Sequence, residues 1–153
     1  MEFLKKLSFF SEMGEEEIKA IQALAREKQL QKDDTLFNEG SPGREFYIIK
    51  EGEITIYKNV AGGKRRALAN LASGTIVGEI SLFDNRPYSA QAEAAAETTL
   101  LAFNIPEFNR LLQEQPALAS KFYRQVILTL CSRMRQTNEK ISQSVMWGFT
   151  GQR

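Results

Sequence analysis

Short segments rich in β-branched and aromatic residues follow one another at near-regular spacing through the middle of this chain. The eight segments cover residues 28–31, 35–39, 46–50, 54–59, 66–72, 75–77, 88–95 and 98–104. Turn residues separate them, and within 54–57 the alternation of Ile54 and Ile56 with Thr55 and Tyr57 is that of a half-buried strand. Short strands joined by turns rather than by helices are typical of a closed or double-sheet β structure, and not of a βαβ fold.

Helical patterns flank these strands on both sides. Gly14 is followed by three glutamates and then by apolar residues at helical spacing, which predicts a helix capped by Gly14 and Glu17. Pro106 suits the start of a second helix, and Pro116 opens a longer one over about 117–144. The predicted fold is therefore mainly β with flanking α, an eight-stranded β-roll of jelly-roll type in a single domain of 1–153. Its parts are an N-terminal helical segment (1–26), the roll (27–104), C-terminal helices (105–144) and a tail (145–153).

The composition narrows the classes of function. At 153 residues and 42% hydrophobic content the chain has the size of one globular domain with a real core. It contains no histidine and a single cysteine, Cys131, so it lacks the commonest general base and metal ligand and can form no internal disulfide. A net charge of +1 does not favour binding to nucleic acid or to an anionic membrane. The apolar runs are too short to span a bilayer. We expect a cytoplasmic protein that is not an enzyme and holds no metal.

One stretch, residues 77–90, carries the pattern of a phosphate site. Gly78 predicts a tight turn, residues 79–83 a single helical turn, and Pro87 a bend into the next strand. The first backbone N–H groups of such a helical turn are unpaired and point one way, which suits a phosphate. The Ser89 hydroxyl can add a donor, and the Glu79 carboxylate can accept hydrogen bonds from vicinal sugar hydroxyls.

The stretch over 78–83, Gly-Glu-Ile-Ser-Leu-Phe, together with Phe-Tyr-Ile-Ile-Lys-Glu-Gly-Glu-Ile over 46–54, resembles the cyclic-nucleotide-binding domain family. That family includes the bacterial catabolite activator protein and the kinase regulatory subunits. The resemblance implies a regulatory signalling module whose ligand is cyclic AMP or cyclic GMP, with no other cofactor. It places Gly78, Glu79, Ile80, Ser81 and Ser89 in the phosphate-binding cassette, the family's name for this stretch.

The chain departs from the family at one position. Where the family has an arginine against the cyclic phosphate, immediately before the Ser-Ala pair, this sequence has Tyr88. Losing such a charge-assisted contact costs about 2–5 kcal/mol at a buried pair. Arg86 either replaces the arginine or is an exposed loop charge. Either the Tyr88 hydroxyl occupies the position of the phosphate, or the Tyr88 ring shapes a site for another small molecule.

Two further groups match ligand-contacting positions of the catabolite activator branch. Ile56 and Leu68 correspond to the lining of the base pocket, with ordinary core packing as the alternative. Arg133, Thr137 and Asn138 correspond to helix residues over the ligand, where Thr137 and Asn138 would bond a purine edge across a dimer. The alternative is that the two polar residues merely interrupt an apolar stripe. Glu79 likewise has a second reading, as a carboxylate that stabilises a helix start without any ligand.

The long C-terminal helix carries apolar residues at three-four spacing, which predicts a homodimer through a helical seam. The predicted interface consists of Ile127, Leu130, Met134, Thr137 and Ile141. In the alternative, the helix only lies on its own β-roll. Both predictions would hold if the first half of this helix packed on the β-roll and the second half faced a partner helix.

The catabolite activator branch continues into a DNA-reading domain, for which nine residues after Ser144 are too few. We therefore expect a stand-alone sensor that signals to an effector protein in trans, with the tail around Trp147 and Phe149 as a docking segment or tucked against its own helix. The hypothesis is a regulatory module with weak or altered cyclic nucleotide binding. The alternatives are a ligand-free interaction scaffold with a decayed pocket, and a sensor of another small anionic ligand.

Overall fold

The computed structural model describes the backbone of residues 2–150 and the side chains of residues 2–143. The strands are β1 (Arg26–Leu30), β2 (Thr35–Phe37), β3 (Glu45–Glu51), β4 (Glu53–Val60), β5 (Lys64–Ala72), β6 (Ile76–Val77), β7 (Gln91–Ala94) and β8 (Thr98–Asn104). The helices are α1 (Glu2–Lys6), α2 (Glu15–Leu24), α3 (Glu79–Asp84), α4 (Ile105–Glu114) and α5 (Pro116–Thr150), and a 3₁₀ turn covers Ser8–Phe10. The predicted eight-stranded β-roll with an N-terminal helix and a long C-terminal helix is confirmed.

The strands form two four-stranded antiparallel sheets that face each other. Their orders are β1-β8-β3-β6 and β2-β7-β4-β5. The space between them is filled by small and branched side chains from both sheets, among them Leu36, Ile49, Ile54, Ala92 and Leu100. Each sheet thus covers one apolar face of the other, which leaves the outer face of the first sheet for the helices.

Strand β3 is buried on both faces because it lies between these two layers. Tyr47 and Ile49 belong to the core between the sheets, whereas Phe46 and Ile48 belong to the core under the helices. This explains why the sequence over 46–49 is apolar without alternation.

An aromatic cluster holds the helices against the first sheet. Phe46 of β3 stacks on Phe103 of β8 at 4.9 Å, and Phe108 of α4 contacts Phe122 of α5 at 4.8 Å between ring centroids. Phe46 also meets Phe108 edge to face at 4.8 Å. Aromatic pairs of this kind stabilise by about 0.5–1.5 kcal/mol beyond their area burial. The cluster therefore fixes where α5 starts over the roll.

The side chains of helix α5 change from buried to exposed along its length. Leu118, Phe122 and Val126 are buried, whereas every side chain over 134–143 is exposed. The helix continues to Thr150, past the predicted end at Ser144. The proposed docking side chains of the tail are Trp147 and Phe149, and they lie outside the residues whose side chains are described.

Two local predictions differ from the structure. Strand β7 begins at Gln91 rather than at Tyr88, because the Tyr88 backbone pairs with the turn at Gly40 and Ser41 (2.8 and 3.0 Å). Thr55 is buried as well as Ile54, so the predicted alternation in β4 does not hold. Its hydroxyl donates to the Asn70 side-chain oxygen at 2.9 Å, which makes burial tolerable.

Candidate ligand-binding site

The predicted cassette lies at the end of β6, where the chain turns into α3. Gly78 is the residue before the helix and has φ of +79°, a left-handed conformation that favours glycine. A Cβ atom at this position would lie 3.3 Å from both the Glu45 carbonyl oxygen and the Tyr88 ring. Conformation and close packing thus both favour glycine here, as the sequence predicted for a tight turn.

Glu79, the first residue of α3, is almost wholly buried and 2% exposed. Its carboxylate accepts a hydrogen bond from the guanidinium of Arg133 on α5. Arg133 also donates to the Ile76 carbonyl oxygen at 2.6 Å. Burial raises the pKa of Glu79 above its ordinary value, and the neighbouring Arg133 opposes that rise. The ion pair therefore links the cassette to the long helix.

Tyr88 is buried, and its hydroxyl is bonded to the backbone of β3. It donates to the Glu45 carbonyl oxygen at 2.6 Å and accepts from the Glu45 N–H at 3.3 Å. Its ring stacks on Phe37 at 3.8 Å between centroids, with 13° between the planes. Burial raises the pKa of the phenol. At the position where the family has a cation, this chain has a neutral side chain held by two backbone bonds and an aromatic stack.

These residues surround a cavity of about 100 Å³. Clefts that bury drug-sized ligands usually measure about 300–1,000 Å³, so this one is small. Among the described side chains that line it, Glu79 and Arg133 are the charged ones. The lining combines this pair with an apolar wall and with the backbone of the cassette. Such a site can offer N–H donors and one guanidinium to an anionic or hydroxylated ligand.

The structure brings most of the predicted site residues to this cavity. Those that line it are Ile56, Gly78, Glu79, Ile80, Ser81, Tyr88, Ser89 and Arg133. Sequence reasoning missed four lining residues, namely Phe37, Leu71, Val77 and Ala90. Val77 and Ala90 are the end residues of the predicted stretch 77–90, but neither was predicted to contact the ligand. Phe37 reaches the site only through the pairing of β2 with β7, which no local pattern reveals.

Four predicted residues do not line the cavity. Leu68 is 47% exposed, because the register of β4 and β5 shifts here: Ile56 pairs with Ala69 and Tyr57 with Ala67. The extra residue of this bulge turns Leu68 away.

The other three belong to a loop and to the outer part of α5. Arg86 is exposed in the loop after α3, and its backbone N–H is bonded to Asp84 at 2.9 Å. Thr137 and Asn138 are exposed on the outer half of α5.

The fold and this site together define a cyclic nucleotide-binding domain. Residues 27–115, more than half of the chain, match the family described as "Cyclic nucleotide-binding domain". The chain belongs to this family, and it is a regulatory module of the cyclic nucleotide-binding type.

Two of the relatives that the chain resembles are regulators by name. The chain is 28% identical over 137 residues to the "CRP-like cAMP-activated global transcriptional regulator" of Mycobacterium tuberculosis, covering 86% of this chain and 58% of that protein. It is 30% identical over 111 residues to the "cAMP-dependent protein kinase regulatory subunit" of Candida albicans, covering 72% of this chain and 23% of that protein. A solved cyclic nucleotide-binding domain from Methylobacillus flagellatus superimposes with a TM-score of 0.83 at 25% identity, covering 94% of this chain and 80% of that one.

Two further findings concern other kinds of site. Within the described residues, no group of histidine, cysteine, aspartate and glutamate side chains could hold a metal ion. Across the same part of the chain, no helix has the length and apolar character needed to cross a membrane.

Proposed function

We propose that this domain is a ligand-sensing regulatory module whose binding of cyclic AMP or cyclic GMP is weak or altered. The observation that carries the proposal is the state of Tyr88, whose hydroxyl is engaged by the Glu45 backbone and whose ring stacks on Phe37. The side chain at this position therefore brings no positive charge to a phosphate. A missing contact of this type weakens binding by about 2–5 kcal/mol, or between one and more than three decades in affinity.

The rest of the cassette supports retained binding of a sugar and a phosphate. Gly78 opens α3 in the left-handed conformation, and Ser81 and Ser89 line the cavity. The Glu79 carboxylate is bonded to Arg133. A sugar hydroxyl would therefore share this carboxylate with the guanidinium or displace the guanidinium from it. Arg133 is also the cationic side chain among the described residues that line this cavity, which favours a small anion as the alternative ligand.

The outer half of α5 supports a homodimer. Met134 is 66% exposed and Ile141 56% exposed, and Ile127 is exposed on the same helix. Partly buried Leu130 lies between the inner and outer halves. Exposed apolar side chains at this spacing on a helix suit a partner helix. We propose that the dimer passes its state to an effector protein in trans, without contacting nucleic acid.

A second candidate function is an interaction scaffold that binds no nucleotide. It is favoured by the small cavity and by the fully bonded state of Tyr88. An apolar groove of about 440 Å³ between α3 and α5 gives such a scaffold a surface for a protein. The groove is lined by Ile80, Phe83, Asp84, Tyr123, Val126, Ile127 and Leu130.

Titration calorimetry of Tyr88→Arg with cyclic AMP and cyclic GMP tests which candidate holds. If the cassette is otherwise competent, the guanidinium should bind the phosphate and raise the affinity by about 2 kcal/mol, or roughly thirtyfold. Tyr88→Phe is the matched control, since it removes the hydroxyl and adds no charge. It should leave the affinity low.

Glu79→Ala added to Tyr88→Arg should then remove much of the gain, because it deletes the sugar contact. An undetectable titration of a folded Tyr88→Arg protein would mean that the pocket is closed, and the scaffold would be the better description. An equal gain in Tyr88→Phe would mean that the Tyr88 hydroxyl and its bonds to the Glu45 backbone, and not the missing charge, limit binding.

A further inference from the structure

Lys58, near the end of β4, reaches across to the cassette. Its ammonium group lies 2.6 Å from the Ser89 carbonyl oxygen and 2.5 Å from a carboxylate oxygen of Glu39. The other Glu39 oxygen accepts the backbone N–H of Asn59 at 3.0 Å. The lysine is therefore held between an anchored carboxylate and one particular peptide group.

That peptide group joins Ser89 to Ala90, two residues that line the cavity. The described backbone contains no cis peptide, and in a trans peptide the C=O and the N–H point in opposite directions. Because the Ser89 carbonyl points at Lys58, the Ala90 N–H points away from it. Ala90 lines the cavity, whereas Lys58 is not among the described residues that line it. Among the hydrogen bonds of the described residues, none uses this N–H as a donor.

We propose that Lys58 is a positioning residue for ligand binding in this site. It fixes the orientation of the Ser89–Ala90 peptide and withdraws electron density through the carbonyl, so that the Ala90 N–H is presented as a donor to an anionic group of the ligand. The role rests on the proposed function, with a cyclic phosphate as the anion. Backbone donors matter more here than in a site with a phosphate cation, since Tyr88 supplies no charge.

The neighbouring backbone is already immobilised. Gly40 donates to the Tyr88 carbonyl at 2.8 Å, and Tyr88 donates to the Ser41 carbonyl at 3.0 Å. The peptide after Ser89 is the next one along, and Lys58 is the side chain that holds it. An ordinary surface ion pair between Lys58 and Glu39 would have no effect on the Ala90 amide. The Ala90 amide therefore distinguishes a lysine that positions this peptide from an ordinary surface ion pair.

The test compares wild-type protein with Lys58→Met and Lys58→Arg. Lys50→Met is the matched control, because Lys50 is also a strand lysine paired with a glutamate (Glu27, 2.8 Å) but bonds no cassette group. The Ala90 amide is followed by ¹⁵N–¹H NMR without ligand, and cyclic AMP is then titrated by calorimetry. Melting curves confirm that each variant is folded.

We expect the Ala90 amide to shift in Lys58→Met and to stay unchanged in Lys50→Met. Cyclic AMP affinity should fall about two- to tenfold in Lys58→Met, the value of one hydrogen bond, and be largely restored in Lys58→Arg. An unmoved Ala90 amide, or equal affinity in wild type and Lys58→Met, would overturn the proposal. If wild type binds no cyclic nucleotide, the proposed function fails, and the ligand-free amide signal still decides whether Lys58 positions this peptide.

Discussion

At the scale of single residues, the pairing of Glu79 with Arg133 has a large energetic consequence. A carboxylate that is 2% exposed carries a substantial desolvation penalty, which its guanidinium partner offsets. The two residues are far apart in sequence, one in the cassette and one in α5. Any ligand that competes for this carboxylate therefore acts directly on the long helix.

Replacing Arg133 by methionine should destabilise the domain by about 3 kcal/mol at pH 7, because it leaves the Glu79 carboxylate buried and unpaired. This loss of stability should be larger at pH 7 than at pH 4. The folded-state pKa of Glu79 is already raised, and it rises further without Arg133. Below the unfolded value of about 4.3 the group is protonated in both states, so the difference between wild type and variant should shrink as the pH falls from 7 to 4. Urea unfolding across this range measures it.

Arg135→Met is the control for that variant, since Arg135 is exposed two residues further along the same helix. It should change the free energy of unfolding little at any pH. A loss of stability in Arg133→Met that stayed constant from pH 4 to pH 7 would contradict the idea that an unpaired carboxylate is its cause.

At the scale of elements, α5 divides into an inner half that belongs to the core and an outer half that does not. Leu118, Phe122 and Val126 anchor the inner half under the aromatic cluster. Exposed helices of such length are not stabilised by propensity alone, and usually need an apolar face to pack against. In the proposed dimer, the outer apolar residues would pack this face against a partner helix.

Changing Met134 and Ile141 together to glutamate should convert a dimer into monomers while the β-roll stays folded. The charges would enter the predicted seam, where their desolvation opposes association. Sedimentation velocity at micromolar concentration measures the oligomeric state, and circular dichroism the fold.

Gln136→Glu with Gln143→Glu adds the same charges at the same seven-residue spacing on another stripe of exposed positions. This control should remain dimeric. A wild-type protein that is monomeric at high micromolar concentration would rule out the seam, and with it the coupling through α5.

At the scale of the whole molecule, charge balance argues against a nucleic-acid partner. The chain has 20 basic and 19 acidic residues. Many of the described charges are paired with each other, including Arg65 near the start of β5 with Glu93. The chain spans 58% of the length of its mycobacterial relative, so what that regulator does as a whole is not carried over here.

We expect no binding of a random DNA duplex by this chain at micromolar concentration. A protein that neutralises few phosphates gains little from counterion release. Electrophoretic shifts at 50 and 200 mM salt provide the measurement. Submicromolar, salt-sensitive binding would contradict the expectation, and Lys64→Glu with Arg66→Glu would then show whether the β4–β5 hairpin is responsible.

The sequence by itself determined the architecture and the local conformation of the cassette stretch. Turn residues between short strands specified the β-roll, and the observed strands agree with the predicted segments within a few residues. Gly78, the helical turn after it and the Gly14–Glu17 cap were also predicted correctly. These features arise from conformational preferences of neighbouring residues, which a single sequence displays directly.

Only the tertiary structure decided which side chains meet at the cavity. The bulge that removes Leu68, the pairing of β2 with β7 that brings in Phe37, and the attachment of the Tyr88 hydroxyl to Glu45 all depend on residues far apart in the chain. Lys58 gave no local signal, because its contact with Ser89 joins positions 31 residues apart. Contacts of this kind follow from strand register and sheet closure, and a one-residue change in register redirects every side chain that follows.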